Sequence, residues 1–198
     1  LLGCGCNIMS AGFSRPLPFI KMHGLGNDFI ILDARDGKQL PDTDGMRHLA
    51  NRHTGIGCDQ IMILQNSATG ADVRLDMLNA DGSVAGACGN GTRCVADILM
   101  HEMHKSNLTI ETISGTLSAW HYRREGTVPL IAVDMGMVRT GWRDIPLAEA
   151  VNTAEVDLGP TAPDKATCQS VGNPHAVMFV ADVEAIDLLD IGPQLDHH

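Results

Sequence analysis

One cysteine of this chain lies in a glycine-rich loop, directly before a sequence pattern typical of a helix. Cys88 lies within the run Asn79-Ala-Asp-Gly-Ser-Val-Ala-Gly-Ala-Cys-Gly-Asn-Gly-Thr-Arg-Cys94, whose glycines allow positive φ angles and close approach of a ligand to the main chain. From Thr92 onward, apolar residues recur at three- and four-residue spacing, which predicts a helix over about residues 90–104. The N–H groups of its first turn lack helical partners, so the backbone at 89–91 is suited to hold a carboxylate beside Cys88.

The helix N-terminus alone does not make Cys88 a strong base. It stabilises a thiolate by about 0.3–1 kcal/mol, whereas about 1.4 kcal/mol is needed to shift a pKa by one unit, so a thiol with a pKa of about 8.5 stays mostly protonated at neutral pH. A catalytic Cys88 therefore needs a second group that stabilises its thiolate. The alternative is that Cys88 is a small buried hydrophobic residue, the role that we assign to Cys94 on the apolar stripe of the helix and to Cys58.

Other loops that contain glycine or proline each include a residue with an amide side chain. The loop from Lys21 to Phe29 contains Asn27, the loop from Arg52 to Gln60 ends in an amide, and the loop from Ser170 to His175 contains Asn173. A fourth amide, Asn79, is the first residue of the loop that contains Cys88. Taken singly, Asn27 is typical of an ordinary turn. Amides both donate and accept without adding charge, so a converging set suits a substrate that carries an ammonium and a carboxylate group.

Three histidines lie in or beside these loops, namely His23, His53 and His175. An imidazole that titrates near a thiol would alter the pKa of that thiol. The residues by themselves do not rank the three.

Short strand patterns separate the loops. Branched or alternating apolar residues predict strands near 29–32, 60–64, 73–78, 108–112, 116–121, 129–136, 166–171 and 175–180, and a short helix at 46–52. Strands interleaved with one prominent helix favour an α+β fold over a βαβ sheet. The chain becomes rich in Pro, Thr, Asp and Gly after Gly136, so we expect a first domain at 17–133 and a second domain at 134–198. The second is short for an independent domain. We interpret residues 1–16 as an N-terminal extension.

Composition excludes several classes of partner. The 198 residues are 44% hydrophobic, enough for one large domain or two small ones, and a net charge of -10 with 14 Lys and Arg argues against nucleic acid or an anionic membrane as partner. No apolar run approaches the roughly 20 residues of a membrane-spanning helix. No secretory segment precedes the six cysteines, so we expect reduced thiols and a cytoplasmic protein. Cys4 and Cys6 are not followed by a Cys or His pair at zinc-site spacing, so we predict no metal site.

Together the four loops resemble the diaminopimelate epimerase family over about residues 17–198. Asn-x-Asp-Gly-Ser followed by Cys-Gly-Asn-Gly is the most specific part of the resemblance. It implies an α+β fold of two pseudo-symmetric domains, each with a curled sheet around a central helix. It also implies an isomerase that converts LL-2,6-diaminopimelate to the meso form in lysine and peptidoglycan precursor synthesis. We expect a small-molecule substrate, no pyridoxal phosphate, other cofactor or metal, and a homodimer.

The resemblance further implies residue roles. One cysteine removes the α-proton and another returns a proton to the opposite face, and Cys88 matches the N-terminal member of that pair. The substrate-contacting positions are matched by Asn27, Gln60, Asn79, Gly89, Asn90 and Asn173, and His175 matches a histidine that tunes the cysteine pKa.

The family's C-terminal motifs, including the second cysteine, have no counterpart in these 198 residues. We therefore expect an incomplete second domain, with the second catalytic cysteine outside this sequence. Two alternatives stay open: a proline racemase-like amino-acid racemase of the same fold, and a non-catalytic fragment that binds amino acids.

Overall fold

A computed structural model describes residues 4–8, 16–122, 130–145 and 147–196 of the chain. Backbone contacts divide the chain into two compact units, Leu1–Met135 and Gly136–His198.

The first unit is built on one large sheet with two helices among its described residues. Its elements in chain order are β1 (Cys4–Ile8), β2 (Leu17–Gly24), β3 (Asn27–Asp33), α1 (Thr43–Ala50), β4 (Gln60–Gln65), β5 (Val73–Asn79), α2 (Gly89–Met103), β6 (Asn107–Thr112), β7 (Gly115–Tyr122) and β8 (Leu130–Asp134). The eight strands are hydrogen-bonded side by side in chain order.

Two of the strand pairs are parallel, and the others are antiparallel. β3 pairs with β4 and β5 pairs with β6 in parallel, and the chain crosses between the partners through α1 and α2 respectively. Parallel neighbours require such crossovers, whereas a tight hairpin serves an antiparallel pair. The prediction of an α+β fold is confirmed, but these two strand-helix-strand connections were not expected from the sequence.

The sheet curls around α2. This helix contacts β2, β3 and β4 as well as β6, β7 and β8, so one helix reaches strands from both halves of the sheet. Its buried face includes Val95 and Leu99, which pack with Phe29 and Leu75 in the larger hydrophobic core. A second core, containing Ile61, lies where α1 covers the opposite face. β3 and β4 are buried on both faces, which accounts for their continuous apolar sequences.

The second unit is smaller and has little regular structure. It contains β9 (Thr167–Ser170), β10 (Pro174–Val177) and α3 (Leu188–Asp196), and β9 pairs antiparallel with β10. Its core consists of Ile145, Ala166 and Cys168 with a few partly buried neighbours. Among the described helices of either unit, none has both the length and the apolar character needed to cross a membrane.

Most predicted elements are present with modest changes in their ends. The main helix begins one residue earlier than predicted, because Cys88 is its N-cap. The short helix begins at Thr43 rather than Met46, because the Asp42 side chain caps it by accepting from the Gly45 N–H at 2.9 Å.

Three elements were not predicted. β2 contains Pro18 and Lys21 between its buried residues, and α3 contains Gly192 and Pro193, so neither shows a clean period in the sequence. β1 lies in the segment predicted to be an N-terminal extension, and its backbone pairs antiparallel with β2.

Candidate active site

Three of the predicted site amides meet at one end of the sheet in the first unit. Gln60 is the first residue of β4 and lies directly opposite Asn79, the last residue of β5. Asn27 begins β3, and the parallel pairing of β3 with β4 places Phe29 beside Gln60. The starts of β3 and β4 and the end of β5 therefore share one edge.

α2 begins at this same edge, with Cys88 as its N-cap residue. The Cys88 Sγ accepts a hydrogen bond from the Gly91 N–H at 3.3 Å, and the Cys88 carbonyl accepts from the Thr92 N–H at 2.9 Å and the Thr92 hydroxyl at 2.8 Å. These bonds hold the thiol at the first turn of the helix. Gly91 lets that turn lie close to β4, since a Cβ there would stand 2.2 Å from the Cε of Met62.

The amides form two hydrogen-bonded groups at this edge, and one of them contacts the thiol. The Asn27 Oδ1 accepts from the Cys88 Sγ at 3.8 Å and from the Asn90 Nδ2 at 3.4 Å. The Gln60 Nε2 donates to the Asn79 Oδ1 at 3.0 Å. Gly89 and Asn90 are the first residues of α2, where backbone N–H groups have no partner within the helix. The edge thus combines a thiol, several amides and helix N–H donors, a set suited to a carboxylate and an ammonium group.

Burial raises the pKa of the Cys88 thiol. The N–H groups of Gly91 and Asn90 and the charge of Arg93 act in the opposite direction but do not outweigh burial. The resting residue is therefore a thiol, in line with the expectation that the helix N-terminus alone cannot make it a thiolate.

The other cysteines with described side chains are buried. Cys58 is 2% exposed and Cys94 is 3% exposed, and burial raises the pKa of each to about 11. Both packing predictions are confirmed. Cys168 is also buried, in the second unit, and burial raises its pKa too. Among the described side chains, Cys88 is thus the one thiol with partial access to solvent.

A charged cluster that no sequence pattern predicts adjoins the amides. The Asp59 Oδ2 accepts from the Asn27 Nδ2 at 2.9 Å and from the Asp28 N–H at 3.0 Å. The Arg52 guanidinium bridges Asp59 at 2.8 Å and Asp28 at 2.6 Å, and Lys21 pairs with Asp28 at 2.7 Å. The one signal in the sequence was the position of Asp59, directly before Gln60 in a glycine-framed loop.

The cluster keeps both carboxyl groups ionised. The Arg52 guanidinium, followed by Lys21, holds the pKa of Asp28 well below its usual range against the opposing effect of burial. Hydrogen bonds from the Asn27 amide and then from the Asp28 N–H lower the pKa of Asp59.

Asn173 and His175 lie together in the second unit. The His175 Nε2 is 3.3 Å from the Asn173 Oδ1, and His175 lies on β10 opposite Gln169. Of the other two histidines considered from the sequence, His23 lies on β2 opposite Asp28, and the His53 N–H donates to the Asn51 Oδ1 at 2.8 Å. Within the described ranges, no group of three or more His, Cys, Asp or Glu is arranged to hold a metal ion.

The sequence profile of the family described as diaminopimelate epimerase matches residues 19–141. Similar curated proteins carry the name diaminopimelate epimerase. The one from Rhodospirillum centenum is 48% identical over 91% of this chain and 61% of its own length, and the one from Acidiphilium cryptum is 46% identical over 91% and 63%. The relative from Pelagibacter ubique is 38% identical over 90% and 65%. The chain thus spans less than two thirds of the length of these relatives.

Solved structures of the same fold include a probable proline racemase from Agrobacterium radiobacter K84. Its TM-score is 0.58 at 17% identity, over 88% of this chain and 52% of that chain. A predicted epimerase from Pseudomonas aeruginosa also has a TM-score of 0.58, at 15% identity over 86% of this chain and 62% of that chain. At these identities the likeness bears on the fold alone.

Proposed function

Because this chain belongs to the diaminopimelate epimerase family, we propose that it acts in the epimerisation of LL-2,6-diaminopimelate to the meso form, with Cys88 as one acid/base group. The observation that carries the proposal is the partly exposed Cys88 thiol at the first turn of α2, hydrogen-bonded to Asn27 and next to Asn90. In this proposal the reaction serves lysine and peptidoglycan precursor synthesis in the cytoplasm, and the protein forms a homodimer.

The chemistry explains why these groups belong together. An α-hydrogen beside a carboxylate is very weakly acidic, so a catalyst must stabilise the negative charge that develops on the carboxylate as the proton leaves. The N–H groups of Gly89 and Asn90, at the positive end of the α2 dipole, supply that stabilisation. Asn27, Gln60 and Asn79 bind the remaining polar groups of the substrate, and Asn173 contributes a further amide.

Cys88 handles the proton on one face of the α-carbon. At rest it is a thiol, because burial raises its pKa, and it can give its proton to the carbanion and become a thiolate. In the reverse direction the thiolate removes that proton and returns to the thiol. Inversion requires a second acid/base group on the opposite face, and His175 tunes the pKa of a catalytic cysteine in this scheme.

Exchange of the substrate α-proton with solvent deuterium tests the proposal. LL-2,6-diaminopimelate is incubated with the protein in D2O, and loss of the α-proton signal is followed by NMR. Cys88→Ala should abolish exchange, whereas Cys168→Ala, which removes a buried thiol of the second unit, should leave it unchanged. Equal exchange by the two variants would refute an acid/base role for Cys88.

A second candidate function is binding of an amino acid without turnover. It is favoured by the position of Asn27, Gln60 and Asn79 at one edge of the sheet, where uncharged amides can hold a ligand without taking part in chemistry. Calorimetric titration with diaminopimelate separates the two functions. Binding by a wild-type protein that catalyses no exchange supports the second function, and exchange that depends on Cys88 supports the first.

A further inference from the structure

The Asn27 side chain is held at both of its polar ends. Its Nδ2 donates to the Asp59 Oδ2 at 2.9 Å, while its Oδ1 accepts from the Cys88 Sγ at 3.8 Å and from the Asn90 Nδ2 at 3.4 Å. An ionised carboxylate can only accept hydrogen bonds, so the amide NH2 must face Asp59. The amide oxygen must then face the thiol, and the choice between the two orientations follows from this network.

Asp59 is itself anchored by other groups. Its Oδ1 pairs with the Arg52 Nη2 at 2.8 Å, and its Oδ2 also accepts from the Asp28 N–H at 3.0 Å. The Asp59 N–H donates back to the Asp28 Oδ1 at 3.1 Å, and Asp28 in turn holds Arg52 at 2.6 Å. The start of β3 and the residue before β4 are thereby joined by reciprocal bonds, which leaves the carboxylate little freedom to turn.

We propose that Asp59 is a positioning residue that orients the Asn27 amide so that its oxygen, and not its NH2 group, faces Cys88 and keeps the resting thiol protonated. The inference rests on the proposed acid/base function of Cys88. An oxygen acceptor stabilises the S–H form, whereas an NH2 donor in its place would stabilise the thiolate. A thiolate formed during turnover is then a stronger base than one surrounded by donors alone.

Charged groups have opposite effects on the stability of the Cys88 thiolate. The negative charge of Asp59 disfavours the thiolate, while Arg93 on α2 and the N–H groups of Gly91 and Asn90 favour it. Asp59 therefore has two separable effects on the thiol. One is its charge, and the other is the orientation that it gives to Asn27.

The pH dependence of Cys88 alkylation separates these two effects. The 198-residue protein is treated with iodoacetamide over a pH series, and modification of the Cys88 peptide is quantified by mass spectrometry. Asp59→Ala removes both the charge and the acceptor, so Asn27 can turn its NH2 to the sulfur. We expect the alkylation midpoint to fall by about 0.5–1 pH unit, which makes alkylation at pH 7 about 3- to 10-fold faster.

Asp59→Asn is the decisive comparison. The new amide oxygen can still accept from the Asn27 Nδ2, so the orientation is kept while the charge is lost, and the midpoint should fall by less than half as much. Asp36→Asn is the control for charge removal, since Asp36 pairs with Lys38 in the exposed segment after β3. It should leave the midpoint unchanged.

Equal shifts in Asp59→Ala and Asp59→Asn would overturn the proposal, because charge alone would then account for the effect. Unchanged midpoints in both would overturn it as well. In an Asn27→Ala background the difference between the two variants must vanish, and its persistence would also count against the proposal.

If circular dichroism shows that Asp59→Ala does not fold, the alkylation midpoint of Asn27→Ala tests the proposal instead. Loss of the amide oxygen should lower the midpoint of that variant, and an unchanged midpoint would overturn the proposal. Alkylation requires no turnover, so this result is independent of whether the chain epimerises diaminopimelate.

Discussion

Replacement of Gly91 by alanine should destabilise the first unit although alanine is the better helix former. Gly91 is in the first turn of α2, and a Cβ at this position would lie 2.2 Å from the Cε and 2.9 Å from the Sδ of Met62. Non-bonded carbon atoms prefer about 3.5–4.0 Å, so the methionine end would have to retreat by roughly 1.5 Å. Met62 is fully buried in the core between the sheet and α2, so the end of its side chain can move only by repacking against its core neighbours.

The magnitude follows from two opposing effects. Exchange of glycine for alanine in a helix gains about 0.5–1 kcal/mol, and overpacking of a dense core costs about 1–3 kcal/mol. At the middle of both ranges the net loss is about 1 kcal/mol in the free energy of unfolding, which lowers Tm by roughly 2–4 °C for a protein of this size.

Gly89→Ala is the matched control. Gly89 lies in the same turn, but its Cβ would have the Met135 Sδ as its nearest neighbour, at an ordinary 3.7 Å. This variant should be at least as stable as the wild type. Urea unfolding followed by circular dichroism measures both variants, and a Gly91→Ala protein as stable as Gly89→Ala would refute the reasoning.

A compensating substitution tests the contact itself. Met62→Val removes the Sδ and Cε that the new Cβ would meet, at the cost of a cavity when Gly91 is retained. The two substitutions should therefore be non-additive, with a favourable coupling of about 1 kcal/mol in the double variant. Strict additivity would show that the destabilisation has another origin.

Alkylation of Cys88 should have a midpoint above that of a cysteine in an unstructured peptide, because burial raises its pKa, and a lower midpoint would contradict this. Cys58 and Cys94, with pKa values of about 11, should resist iodoacetamide at about pH 8.5 until the protein is unfolded. Asp28→Asn should destabilise the protein at neutral pH. Because the folded-state pKa of Asp28 is depressed, its contribution is complete above the ordinary value of 3.8, and the difference between variant and wild type in urea unfolding should shrink as the pH falls below that value. If His175 stabilises the Cys88 thiolate, His175→Ala should raise the alkylation midpoint, and an unchanged midpoint would count against that role.

Much of the secondary structure could be predicted because its signals are local. The three- and four-residue spacing of Cys94, Val95, Ile98 and Leu99 predicts α2, and the continuous apolar sequences of β3 and β4 predict two buried strands. β2 and α3 were missed because proline and glycine interrupt their patterns, and tertiary contacts rather than propensity decide such segments.

The polar network of the site depends on contacts that a local pattern does not contain. Asn27 and Asp59 are 32 positions apart, and only the parallel pairing of β3 with β4 brings them within 2.9 Å. Nothing in the intervening sequence reports that pairing, so Asp59 could not be identified as a partner of Asn27. Arg52 and Asp28, which complete the cluster, were missed for the same reason.

The sequence by itself determined the candidate catalytic residue, and it determined the glycine-rich loop around Cys88 and the helix that begins there, because loop and helix depend on the backbone preferences of neighbouring residues. It also contained the loops that mark the family. The tertiary structure decided which thiols are buried, and so the pKa of Cys58, Cys88 and Cys94, because desolvation depends on residues from distant parts of the chain. It also decided the orientation of Asn27, since the carboxylate that sets it belongs to Asp59, which precedes β4 and is 32 positions away in the chain.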